Sequence, residues 1–185
     1  MRARGFTIIE LMTVMVILAI MAFLALPNMN VWLQNTQIRT AGEAILNGMQ
    51  FARAEAIRRN TAIELKMDVQ SGWTVKELSS GQVLQSRLST DGSPAATVTI
   101  APVGATKITF DSFGSVVTPN PDTSNPITEI KIDSVAIAAA DSRELCVLVR
   151  PGGNVRLCDP QVAASDTRTC VPPPPAAAVV PAGCL

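Results

Sequence analysis

From Phe6 to Leu26 the chain reads FTIIELMTVMVILAIMAFLAL, apolar at every position except Thr7, Glu10 and Thr13. As a helix this 21-residue run rises about 31 Å, the thickness of a bilayer core. Arg2 and Arg4 stand just before it. Positive flanks stay in the cytoplasm, so the rest of the chain is expected to face the periplasm or exterior. Glu10 is the anomaly. A carboxylate inside a spanning segment costs at least ~2.5 kcal/mol, so it needs a partner or a task. A removable secretory signal shares the charged start and apolar run, but no A-x-A stands near Pro27, and the run passes straight into an amphipathic helix. A plain anchor fits the length and leaves the acid unexplained unless it snorkels to the interface. The third reading is an assembly helix whose acid meets a partner that appears later.

Past Pro27 the helix is expected to continue to about Arg59. Ile38, Ala41, Ile45, Met49, Ala52 and Ala56 recur at three- and four-residue steps and make one apolar stripe. Arg39 with Glu43 and Glu55 with Arg59 are i,i+4 pairs for the exposed side, the second in the favourable order. Asn60, followed by the strand-like Thr61-Ala62-Ile63, marks the end.

The remainder reads as β. Short β-branched or alternating runs cover 63–67, 73–78, 83–88, 97–100, 108–110, 116–118, 127–132 and 145–150, separated by turn chemistry such as Gln70-Ser71-Gly72 and Phe113-Gly114. Thr118–Pro126 carries three prolines and is a loop. Trp73 is expected in the core, packed on the helix, rather than as a ligand platform. Cys146-Val147-Leu148-Val149-Arg150 and Val155-Arg156-Leu157-Cys158 flank Pro151-Gly152-Gly153-Asn154 and predict a glycine-turned hairpin.

Histidine is absent, which removes the commonest general base and metal ligand, and there is no nucleophile motif or metal-ligand spacing. No catalytic residue, metal site or cofactor is therefore expected. Charge is balanced at 15 Lys+Arg against 15 Asp+Glu, without the basic surplus of a general nucleic-acid binder. Cys146, Cys158, Cys170 and Cys184 are widely spaced and even in number, which reads as disulfides in an oxidising compartment. Four cysteines allow three pairings. The first choice is Cys146–Cys158 across the hairpin, with Cys170–Cys184 clasping the tail. That tail, with Pro172 to Pro175, favours a polyproline II surface segment.

Gly5-Phe6-Thr7-Ile8-Ile9-Glu10 resembles the G-F-T-x-x-E signature of type IV prepilins and pseudopilins. The stretches Gln50–Ile57 and Ile108–Val116 are similar to those of the GspH/FimT-like minor pilins. The resemblance implies cleavage between Gly5 and Phe6 by a prepilin peptidase, N-methylation of Phe6, and a helix-bending role for Pro27. It implies that Glu10 pairs with the new Phe6 ammonium of a neighbouring subunit, which offsets the burial of both charges and sets a register. Some FimT-like pilins bind DNA through a G-R-x-R motif on the last hairpin. Here the stretch is Gly153-Asn154-Val155-Arg156, so only Arg150 and Arg156 remain as candidate contacts.

The expected fold class is α+β, pilin-like: a long N-terminal α-helix, its second half packed on an antiparallel β-sheet head. Residues 1–5 would be a cleaved leader, 6–26 the membrane and assembly helix, and 27–60 its amphipathic continuation. Residues 61–160 would form the head and 161–185 a disulfide-clasped tail. The implied function is that of a minor pilin initiating or capping a type IV pilus. The alternatives are a type II secretion pseudopilin and, from other classes, a DNA-binding competence pilin or a membrane-anchored periplasmic enzyme. Expected partners are the peptidase, other pilins or pseudopilins, an inner-membrane assembly platform and, before assembly, lipid. The chain would sit in the bacterial inner membrane with its head in the periplasm.

Overall fold

A computed structural model describes residues 7–170, without the side chains of residues 24–28. The chain divides into two units, Met1–Leu33 and Gln34–Leu185, and one helix, α1 (Ile8–Arg59, 52 residues), runs through both. In the first unit its described apolar side chains stand in the open, from Ile8 at 81% exposed to Leu33 at 44%, except for the half-buried Val31. No helix among the described residues is long and apolar enough to cross a membrane. The expected span is described with its side chains only from Thr7 to Phe23. Pro27 lies within α1, and the backbone is helical through it.

In the second unit the stripe anticipated from spacing is the buried one. Ile38, Ala41, Ile45, Met49, Ala52 and Ala56 are all fully buried. The helix stops at Asn60, whose φ of 51° is left-handed. The Thr61 N–H reaches the Ala56 carbonyl at 3.2 Å, and the Asn60 N–H reaches Ile57 at 3.3 Å. These are the two bonds of a Schellman cap, which satisfy carbonyls the helix leaves open.

Among the described residues eight strands follow: β1 (Ile63–Met67), β2 (Trp73–Glu77), β3 (Val83–Arg87), β4 (Thr97–Ala101), β5 (Lys107–Phe110), β6 (Glu129–Asp133), β7 (Leu145–Val149) and β8 (Val155–Cys158). They make two four-stranded sheets, β3-β2-β1-β5 and β4-β6-β7-β8, every pair antiparallel. Inward positions alternate as the pleat requires. Ile63, Leu65, Met67, Trp73, Val75, Ile108, Phe110, Ile130, Ile132, Val147 and Val149 join the helix stripe in one core. Trp73, 3% exposed, lies against Gly48 of α1, where a Cβ would stand 2.7 Å from its ring.

One expected strand is not formed. Residues 116–118 make only a single bridge, Phe110 to Val116, flanked by the Asp111 N–H on Ser115 and the Val117 N–H on Thr109, each at 2.9 Å, and Pro119 has no N–H to carry the ladder further. Gly114 is left-handed at φ 77°, and the Val116 N–H goes to the Pro151 carbonyl at 2.8 Å.

Candidate functional site

Thr7 opens α1. Its hydroxyl accepts the Glu10 N–H at 3.3 Å, and its carbonyl accepts the Leu11 N–H at 3.2 Å. It is thus the N-cap, with Glu10 at the third helical position. Thr-x-x-Glu is the spacing of a capping box, and a carboxylate in the first turn faces the positive end of the helix dipole. The sequence reading singled out Glu10 but passed over Thr7, although that spacing was there to find. The Thr13 hydroxyl donates to the Glu10 carbonyl at 2.9 Å, so both threonine hydroxyls are satisfied locally. The Glu10 carboxylate is not: among the described residues it has no side-chain partner. Ile8, Ile9, Leu11 and Met12 around it are all more than half exposed. Gly5 and Phe6, the expected cleavage and methylation positions, lie outside the described residues. So does the polyproline segment.

The last hairpin forms as expected, and its register sets Cys146 opposite Cys158. The pairing is nevertheless different: Cys158 bonds Cys170, with a Cα separation of 4.8 Å. This corrects both the Cys146–Cys158 and the Cys170–Cys184 assignments. The cause is a return of the chain that spacing does not reveal. The Asp159 N–H donates to the Arg168 carbonyl at 2.8 Å, and Asp159 bridges Thr169 in parallel, which lays Cys170 beside Cys158. Cys146 is itself disulfide-bonded, and Cys184 lies outside the described residues. Cys146, Leu148, Cys158 and Cys170 form a small buried cluster of their own.

The two candidate DNA contacts are placed differently. Arg150 is exposed at the end of β7. Arg156 is engaged within the chain: its guanidinium donates to the Thr167 carbonyl at 2.6 Å and to Thr169 at 2.8 Å. It holds the returning segment on the outer face of its sheet, leaving one open arginine on this hairpin.

Three polar side chains dock loops onto the helix where the second unit begins. The Asn35 amide donates to the Asp141 carbonyl at 2.9 Å and accepts the Arg143 N–H at 2.8 Å. Gln37 accepts the Ala95 N–H at 2.9 Å, and Gln34 accepts the Ser134 hydroxyl at 3.1 Å. Beside them, Asn35, Arg39, Glu43, Arg143, Leu157 and Arg168 help line an open cleft of about 340 Å³. Across the other sheet, Glu64 is buried at 3% and held by Lys76 at 3.0 Å and Lys107 at 3.5 Å. Hydrogen bonding from Lys107 and then Ser124 holds the Asp122 carboxyl down at about 2. This cluster fixes the Pro-rich loop over β5, and strand patterning gave no sign of it. Among the described residues, no group of three or more His, Cys, Asp and Glu side chains could hold a metal ion.

A family profile described as type II transport protein GspH matches residues 41–168. A second, described as the prokaryotic N-terminal methylation motif, matches residues 1–26. No curated protein matches the chain. Among solved structures, the type IV minor pilin FimU of Pseudomonas aeruginosa is 22% identical, with 67% of this chain and 92% of that one covered and a TM-score of 0.48. The minor pseudopilin EpsH from the type 2 secretion system of Vibrio cholerae is 13% identical, with 68% and 99% covered and a TM-score of 0.47.

Proposed function

The chain belongs to the GspH family of type II transport proteins, and from that premise we propose that it is a structural minor pilin of a type IV pilus. A prepilin peptidase cuts after Gly5, and Phe6 is methylated. Residues 6–26 hold the chain in the bacterial inner membrane with the head in the periplasm. The helix then enters the filament from the assembly platform, in its initiating or tip complex. The methylation motif over residues 1–26 supports this reading.

The observation that carries it is the Glu10 carboxylate, which has no side-chain partner among the described residues, on an exposed apolar helix. In the packed filament, Glu10 of one subunit meets the Phe6 ammonium of its neighbour, which compensates two charges that would otherwise be buried alone. Pilus initiation is tested by deleting the gene in its host: surface pili disappear and return with the wild-type chain, while secreted enzymes are unchanged. Mass spectrometry of the chain finds methyl-Phe6 as its first residue. An intact Met1, or a cut near Pro27, refutes the processing step.

A second reading is favoured by the family's own description: a pseudopilin of a type II secretion system. It shares the leader, the peptidase and the helix. The same deletion separates the two, because this reading requires that secreted enzymes accumulate in the periplasm while pili persist.

A further inference from the structure

The second sheet has a buried apolar patch on the face turned away from the main core. Ile130, Ile132, Val147 and Val149 belong to that core, so the alternation of the pleat turns Glu129, Lys131, Asp133, Cys146 and Leu148 to the other face. Cys158 and Arg156 stand opposite Cys146 and Leu148 and share it. Most of these residues are polar, yet Cys146 is fully buried and Leu148 is 7% exposed. With Cys158 and Cys170 they make a cluster separate from the core. The cover extends toward β6, where Glu129 lies opposite Leu148: burial pushes its carboxyl up, against the pull of Lys131.

Described residues supply one side of that cover. The Arg156 guanidinium binds the Thr167 and Thr169 carbonyls, and Cys170 is bonded to Cys158. Cys146, across the ladder from Cys158, is disulfide-bonded as well. Of the three pairings open to four cysteines, the Cys158–Cys170 bridge leaves one. The reach is sufficient. The Cα atoms of Cys158 and Cys170 are 4.8 Å apart. An opposed antiparallel pair adds about 4.5–5.5 Å, and a second bridge about 5.5–6 Å. Cys184 therefore has to return to within about 16 Å of Cys170. The thirteen residues between them can extend to about 45 Å.

We infer that Cys146 is bonded to Cys184, which makes residues 171–183 a loop stapled at both ends and seated on the outward cluster of the β7–β8 hairpin. The occupant of this face is then the chain's own proline-rich tail rather than a neighbouring subunit. Each bridge forms by exchange. Two thiols give up two protons and two electrons to the disulfide of a thiol–disulfide oxidoreductase, which leaves as the dithiol. Only the oxidising compartment is taken from the proposed function.

The test is a peptide map of the full chain isolated from its host, with thiols blocked by N-ethylmaleimide in denaturant and tryptic digestion without reduction. Residues 144–156 carry Cys146, residues 157–168 carry Cys158, and residues 169–185 carry both Cys170 and Cys184. The expected product is one species that joins all three peptides, with no blocked thiol. In Cys184→Ser, residues 144–156 leave that species with Cys146 blocked, while 157–168 stay joined to 169–185. In the double variant Cys158→Ser, Cys170→Ser, residues 144–156 stay joined to 169–185. A blocked Cys146 in the wild type, or 144–156 joined to 157–168 alone, overturns the inference. So does a thiol freed at Cys158 instead of Cys146 in Cys184→Ser, or a reducible dimer through Cys146. Four blocked thiols beside a methylated Phe6 would overturn it and leave the filament reading standing. Three joined peptides on a chain with an uncut leader would do the reverse.

Discussion

The two halves of α1 are one continuous helix with opposite reasons for existing. From Gln34 onward, the helix has an apolar stripe that its own chain covers: six stripe residues are fully buried against two sheets. Before Leu33, described side chains as large as Ile8, Ile9 and Phe23 are 72–81% exposed, uncovered by any described residue. Helices in water draw most of their stability from packing one face. The second half therefore belongs to the fold, and the first half requires a lipid or protein surface that the described residues do not supply.

Placing the same charge in each half breaks the comparison most sharply. Ile45→Asp buries an unpaired carboxylate in the core and should cost about 4 kcal/mol or more, unfolding the head in thermal melts. Ile17→Asp should leave the melt of the head unchanged and instead release the chain from the membrane fraction. Equal melting temperatures for the two variants would remove the distinction. Next in size is Glu64→Ala, which leaves Lys76 without its buried partner. Losing such charge-assisted hydrogen bonds should cost about 1.5–3 kcal/mol in urea titration. It should leave membrane retention and the first half of α1 untouched.

Gly48→Ala probes how tightly the second half is seated. Its Cβ would stand 2.7 Å from the Trp73 ring, and overpacking of that kind costs about 1–3 kcal/mol, against the modest gain an exposed helical alanine would bring. A stabilised variant would mean that the indole can move away.

The stripe and the helix end were legible because both signals are local: a 3.6-residue period, and an asparagine placed where a left-handed residue caps a helix. The strands that form were legible for the same reason, to within a residue or two at their ends, whereas 116–118 was expected as a strand and makes a single bridge. Their division into two sheets was not, since nothing in an alternating run says which edge it will join. The failure at Cys158 is similar. Its register opposite Cys146 was correct, but the choice of partner depended on Arg156 drawing the Thr167 and Thr169 carbonyls onto the hairpin. Glu10 was found through its cost in lipid, while Thr7, three residues earlier, was hidden by an apolar context that drew attention to spanning rather than capping.

The smallest effect falls at the last turn of the second half, where the acid has partners that Glu10 lacks among the described residues. Arg58 reaches Glu55 at 2.6 Å and Arg59 reaches it at 2.7 Å. Their hydrogen bonds, Arg58 first, lower the Glu55 pKa to about 2 from the usual 4.5. A depressed folded-state pKa means that unfolding takes up protons on acidification. The stabilisation is therefore complete above about pH 4.5 and fades as pH falls toward about 2. Such surface pairs contribute about 0.3–0.5 kcal/mol each, so Glu55→Gln should lower the melting temperature slightly at pH 7. The gap between variant and wild type should close as pH falls through that window. A gap independent of pH would assign the contribution of Glu55 to packing rather than charge, and would leave the contrast with Glu10 resting on exposure alone.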